Sequence, residues 1–263
     1  MSAVSQMPVL SGRLVLSGEA AVSVLSRDRR APELAEAATS DYSSLLRWLV
    51  TPRASTYGDV AYRARLDLRQ TPPPGSTAAS PRSVTASVGF RYIGAGYVSL
   101  GLASLPADQR ALDATVGVRF PRWSATARGM RQNDNLLGQK LSTTHRNHLS
   151  GSLTYRFSRA LSSSLRANVS TVANDAVDPA MVLDYQNLMV AADQTLSLSS
   201  SRRIRALALG YTYQRAGDDN PMRASSFLRT HDVKVRATVL PARSVTFTPV
   251  SYTHLTLPTK RIV

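Results

Sequence analysis

Between Tyr57 and Arg69, the residues Val60, Tyr62, Ala64, Leu66 and Leu68 alternate with Asp59, Ala61, Arg63, Arg65, Asp67 and Arg69. Successive side chains of an extended chain point to opposite faces, so this period of two predicts a strand with one apolar and one charged face. The pattern recurs. Leu14, Leu16, Gly18, Ala20, Val22 and Val24 oppose Arg13, Val15, Ser17, Glu19, Ala21 and Ser23. Val84, Ala86, Val88 and Phe90 oppose Thr85, Ser87, Gly89 and Arg91, and Leu112, Ala114, Val116, Val118 and Phe120 oppose Asp113, Thr115, Gly117 and Arg119. Further segments starting near Trp123, Leu149, Leu161, Leu188, Arg203, Val233 and Arg243 bring the expectation to about eleven strands of roughly ten residues.

The links choose between all-β architectures. Phe120 to Trp123, Phe157 to Ala160, Ser199 to Arg202 and Leu240 to Arg243 are tight, whereas Arg131 to Arg146, Ala173 to Asn187 and Gln214 to Thr230 are long and polar. Carried backward, the parity makes Ile93 to Arg110 and Ser26 to Ala54 long and puts the Pro-rich Gln70 to Pro81 on the short side. Brief turns at one end and extended loops at the other are the habit of a transmembrane β-barrel. Aromatic side chains follow the same plan. Phe120, Trp123, Phe157 and Phe247 stand beside tight turns, and Phe90, Tyr92, Tyr211 and Tyr213 near long loops, which predicts two belts at the headgroup levels. The charged set, Asp59, Arg63, Arg65, Asp67, Arg69, Arg91, Asp113 and Arg119, is expected to line the interior. A soluble β-sandwich also alternates, but that much charge on one strand suits a watery lumen of ion pairs better than a solvated sheet.

Composition removes other classes. Without cysteine there is neither a disulfide framework nor a thiolate metal site, and no apolar run is long enough for a helix to span a bilayer. A hydrophobic content of 43% is too high for a disordered polycation. The net charge of +15 invites nucleic-acid binding. Yet of the basic residues only Lys140, Lys234 and Lys260 are lysines, and the arginines are scattered with no run longer than Arg29-Arg30 or Arg202-Arg203. No nucleic-acid partner is expected.

Few residues suggest chemistry. His145-x-x-His148 has a metal-compatible spacing but no third ligand nearby, and His231-Asp232, as strand neighbours, point to opposite faces. No serine sits in Gly-x-Ser-x-Gly. Gly217-Asp-Asp-Asn-Pro221 and Asn133-Asp-Asn135 are read as loop-closing turns in preference to calcium ligands, and Gly94-Ala-Gly96 as a tight bend in preference to a phosphate loop. The expectation is no catalytic residue, no metal, no cofactor and no enzyme activity. Pro32 to Ala38 and Tyr42 to Val50 contain helix formers with Asp41 as a cap, which favours a short helix in an external loop over the alternative of a strand at Leu45 to Val50 that would shift the strand count.

Tyr92-Ile-Gly-Ala-Gly-Tyr-Val-Ser-Leu-Gly101, Gly129-Met-Arg-Gln-Asn-Asp-Asn-Leu136, Lys140 and the stretch Arg146 to Asn168 resemble the C-terminal outer-membrane β-barrel region of large uncharacterised surface proteins of Bacteroidota and Gemmatimonadota-like bacteria. The likeness covers Gly12 to Pro249 and implies an outer-membrane location, a lipid-bilayer partner and a longer parent protein. It supplies no catalytic residues. Val250 to Val263 resembles a translated sequencing-library adapter, so residues 1–249 are expected to form the barrel region and 250–263 an artefactual tail. Met1 to Gly12 has no positive n-region or apolar core, and Met1 is read as internal to a longer gene cut near Pro249. The expected fold is thus all-β, an antiparallel up-and-down transmembrane β-barrel, incomplete because about eleven strands is an odd number. The expected role is a structural anchor or solute-passing wall in the bacterial outer membrane. A soluble β-sandwich binding module and an outer-membrane hydrolase are the alternatives.

Overall fold

The computed structural model describes residues 2–9, 13–26, 28, 30–32, 56–70, 83–99, 106–198, 204–220, 222, 227–239, 245–247 and 250–254. The helix expected between Pro32 and Val50 lies almost wholly outside them. The described chain is all-β. Its strands are β1 (Ser2–Val9), β2 (Leu14–Ser26), β3 (Thr56–Gln70), β4 (Ser83–Ile93), β5 (Gln109–Arg119), β6 (Trp123–Asp134), β7 (Thr144–Arg156), β8 (Leu161–Asn174), β9 (Asp184–Ser197), β10 (Ile204–Asp218), β11 (Leu228–Val239), β12 (Val245–Phe247) and β13 (Val250–His254). Each strand from β1 to β12 is hydrogen-bonded to its neighbour in sequence, antiparallel and up-and-down, while β13 pairs with β11. The strand path ends at β1 and at β12 without returning on itself, as expected of an unclosed barrel wall. Val250–His254, expected to be a tail, adds its backbone to β11 with Val233 opposite Ser251. A free sheet edge accepts almost any extended backbone, so this pairing carries no information about the origin of the segment.

The links alternate as expected but are shorter on the long side. Residues 120–122 and 157–160 are tight turns, and 135–143, 175–183 and 219–227 are the longer connections. The strands that follow these two tight turns begin where the pattern put them, at Trp123 and Leu161. Those starting after longer links begin earlier than expected, at Thr144, Asp184 and Leu228 in place of Leu149, Leu188 and Val233. In β7 and β9 the first residues are polar on both faces, so the period of two vanishes there while the backbone ladder continues. Strands β3 to β11 run to between 11 and 15 residues, at or beyond the upper end of the roughly 9–11 that a hydrocarbon layer requires.

By contacts the chain forms two compact units, residues 1–67, 88–112 and 132–143, and residues 68–87, 113–131 and 144–263. Strand register defines the second unit best. Leu153, Leu165, Ala192, Tyr211 and Val233 face one another in a row across β7 to β11, and Leu161, Leu196, Leu207 and Ala237 make another. Shifted by one residue, Ser152, Arg166, Ala191, Thr212 and Asp232 form a row on the other face, followed by Thr154, Ser164, Asp193, Gly210 and Lys234. One face is therefore mainly apolar, interrupted by Ser163 and Gln194 in the row between, and the other mainly polar across these strands.

Among the described residues no packed core lies against the apolar face. Leu149 is 60% exposed, Leu165 47% and Leu209 51%, and among the described residues the buried apolar side chains are Ile93, Ala111, Ala191 and Ala216. None of the large side chains described is fully buried. A sandwich would bury such a face against a second sheet about 10 Å away. The described strands make a single sheet.

Candidate functional site

The polar face of the second unit is tied by charge. Asp193 on β9 accepts from the Ser164 hydroxyl at 3.4 Å and stands 3.8 Å from the Arg166 guanidinium, both on β8. On the other side it leans over β10. A Cβ at Gly210 would lie 2.9 Å from Asp193 Oδ1, so the missing side chain is what lets the carboxylate cross that strand toward Lys234. Lys234 Nζ in turn pairs with Asp232 Oδ2 at 2.8 Å on β11. Among the described residues, Oδ1 of Asp232, Oδ1 of Asn168 and Oγ1 of Thr230 are buried without a partner. Polar atoms in that state call for water or a ligand group, since each unmet one costs about 1–3 kcal/mol.

Of the eight side chains expected in the interior, Arg65 and Asp67 meet as an ion pair, Nε to Oδ1 at 2.9 Å. They alternate with Val60, Tyr62, Leu66 and Leu68, all exposed, so the two sets occupy opposite faces of β3. Asp113 and Arg119 share a face with Gly117, whose carbonyl accepts from the Thr85 hydroxyl at 3.4 Å. Arg91 is on the Thr85 face of β4, as Arg63 and Arg69 are on the Arg65 face of β3. Asp59 serves differently. Its carboxylate accepts from the Gly96 N–H at 3.0 Å and covers Gly94 so closely that a Cβ there would overlap the carboxyl group. A side chain at position 94 would displace this carboxylate, and Gly94-Ala-Gly96 forms a turn closed by Tyr97 N–H to the Gly94 carbonyl at 3.2 Å.

The aromatic side chains cluster in small groups. Phe120 stacks on Trp123 with ring centroids 4.3 Å apart, and Tyr155 meets Phe157 edge-on at 4.7 Å, both beside tight turns. In the first unit Tyr62 stacks on Tyr92 at 5.0 Å and lies 6.0 Å from Phe90, so these three share the apolar face. Tyr211 and Tyr213 sit nearer the middle of β10 than expected, because that strand runs on to Asp218. Both approach His231, and the Tyr211 hydroxyl is 2.8 Å from His231 Nδ1. Asp232 points to the other face toward Lys234, so the two neighbours form no dyad. His148 stands opposite Ser170, and among the described residues no hydrogen bond joins His148 or His231 to a serine or aspartate. No cluster of three potential metal ligands occurs among the described residues.

Two knots close the longer links. In the first unit Lys140 Nζ bonds Asp108 Oδ2 at 2.9 Å and lies 3.6 Å from Asp134 Oδ2. Asp108 is buried, also accepts from the Leu136 N–H at 2.8 Å, and has φ of 60°. Asn135, at φ of 56°, receives the Lys140 N–H at 2.8 Å. Two non-glycine residues in left-handed conformation cost about 1–3 kcal/mol each, and these side-chain bonds hold them there. Lys140 is pushed above its ordinary pKa, chiefly by the hydrogen bond to Asp108, against a smaller opposing effect of burial. A raised lysine stabilises fully below its unfolded pKa and loses that contribution as pH rises through the folded value. Cleavage of residues 135–143 by a protease is therefore expected to accelerate above roughly pH 10.4. Lys140→Met should be cut quickly at every pH, and an unchanged wild-type profile in that variant would separate Lys140 from the effect.

In the second unit the equivalent knot is built on Asn174, Asp218 and Asn220. Asn174 Nδ2 donates to the Met181 carbonyl at 3.0 Å while its Oδ1 accepts from Leu183 N–H at 2.7 Å. Asp218 Oδ1 accepts from the Asp184 N–H at 3.2 Å and the Asn220 N–H at 3.1 Å. The Asp and Asn side chains of both segments thus do turn and capping work. The knots and the charge ties across strands were not legible in the sequence, because their partners are far apart in the chain and meet only through register.

Compared with protein-family models, curated proteins and solved structures, the chain matches none.

Proposed function

We propose that this chain forms part of the wall of a bacterial outer-membrane β-barrel, acting as a structural anchor or a solute-passing wall. The single observation behind this reading is the two-faced register of β7 to β11, apolar and uncovered on one side, charged and cross-tied on the other. A soluble protein rarely leaves so continuous an apolar face in water, whereas lipid covers it at no cost. Antiparallel pairing satisfies the backbone along each ladder, which a bilayer demands. The polar face carries Arg156, Arg166, Lys234 and Arg236 against Asp193 and Asp232, so a water-filled passage lined this way favours anionic solutes.

The test is insertion. The full chain, refolded with phosphatidylcholine vesicles, is expected to float with them and to yield protease-protected fragments the length of paired strands. Recovery as a cooperatively folded monomer in the soluble fraction would favour the sandwich and defeat the wall.

A further inference from the structure

One corner of the apolar face is not apolar. Arg215 on β10 stands directly opposite Arg229 on β11, in the row that begins Leu149, Val169 and Leu188. Both guanidinium side chains are exposed, and among the described residues neither forms an ion pair. Directly opposed residues have Cβ atoms about 4.5–5.5 Å apart, and like charges in that arrangement repel. An anion between them removes the conflict. Two residues along β11, His231 is held on the same face by the Tyr211 hydroxyl and the Tyr213 ring, which concentrates hydrogen-bonding and cationic groups at one level.

A groove of about 100 Å³ opens beside Arg215, walled by Val169, Leu188 and Phe227. Its shape depends on Gly217. A Cβ there would overlap the Phe227 ring, so the ring settles against bare backbone and forms the groove wall. Asp219 also borders the groove, and its carboxylate is occupied by Gln186 Nε2 at 2.9 Å. Beyond the groove the same face continues through Leu149, Leu165 and Leu209, all exposed. The arrangement is a pair of planar cations at the head of an apolar track.

We propose that this corner binds the phosphate headgroup of a lipid, with Arg215 and Arg229 sharing the phosphate and the acyl chain lying along Val169 and Leu188. Charge complementarity selects the headgroup, since arginine forks match phosphate oxygens, and the uncovered track selects an amphiphile over free phosphate. The proposal rests on the membrane-wall reading.

The test measures binding of phosphatidylglycerol to the full chain in neutral-detergent micelles, alongside flotation on phosphatidylcholine vesicles. Wild type is expected to retain one phosphatidylglycerol, and the double change Arg215→Gln, Arg229→Gln to weaken it about tenfold or more. Arg236→Gln, on the polar face of β11, should leave binding unchanged. Arg215→Lys, which keeps the charge but loses the fork, should fall between and serves if the double variant does not refold. Equal binding by the double variant, equal binding of uncharged diacylglycerol, or displacement of the lipid by excess inorganic phosphate each overturns the site. Those results alongside normal flotation refute the site alone. Failure to float refutes the wall and the site with it.

Discussion

Leu165→Arg is expected to destabilise the chain in a bilayer by about 2–4 kcal/mol, while Ser164→Arg, one residue earlier, changes stability by less than about 1 kcal/mol. Leu165 lies near the middle of β8 on the apolar face, opposite Leu153 on one side and Ala192 on the other. A guanidinium there must reach past several apolar neighbours to find water, and the cost peaks at the bilayer midplane. Ser164 stands opposite Asp193, so an arginine in its place gains a carboxylate that already attracts Arg166. The measurement is urea unfolding of each variant from phosphatidylcholine vesicles. Tolerance of Leu165→Arg would instead place that face in water, since a dry core and a bilayer both penalise the charge. Equal effects from the two substitutions would sink the two-faced wall.

The second large effect belongs to Asn220→Ala, expected to cost about 3 kcal/mol. Asn220 is 4% exposed and joins two links: its Nδ2 donates to the carbonyls of Pro179 at 3.0 Å and Val182 at 2.6 Å, and its Oδ1 accepts from Met222 N–H at 2.9 Å. Alanine strands two carbonyls and one N–H, each worth about 1–3 kcal/mol when left unmet in a buried place, with water relieving part of the sum. The loss should show as a lower unfolding midpoint together with faster proteolysis within residues 175–183. Asn220→Asp keeps the acceptor but not the donors, so it should recover the Met222 bond alone and fall short of wild type. A loss below about 1 kcal/mol for the alanine variant would mean that the two links are held by other contacts.

Strand existence was legible wherever one face is apolar and the other polar, as in β3, where five apolar residues alternate with charge between Asp59 and Arg69. Starts after tight turns were legible for the same reason, since Trp123 and Leu161 begin the alternation abruptly. The outer ends were not. Thr144 to His148 and Asp184 to Asn187 are polar at nearly every position and read as loop, although their backbones continue the ladder to Asn174 and Asp218. The part played by Asp59 was also hidden, because capping Gly96 depends on where β4 ends relative to β3.

What the amino-acid order determined by itself is local: the period of two, the turn residues, the alternation of short and longer links, and hence an all-β, up-and-down sheet with a charged and an apolar side. Those properties follow from bond geometry, which sends neighbouring side chains to opposite faces whatever the rest of the chain does. Only the tertiary structure decided which distant residues share a row. Arg215 faces Arg229, Asp193 leans over Gly210, and Lys140 closes on Asp108 because register is a property of two strands together, set by the links and by the whole length of pairing.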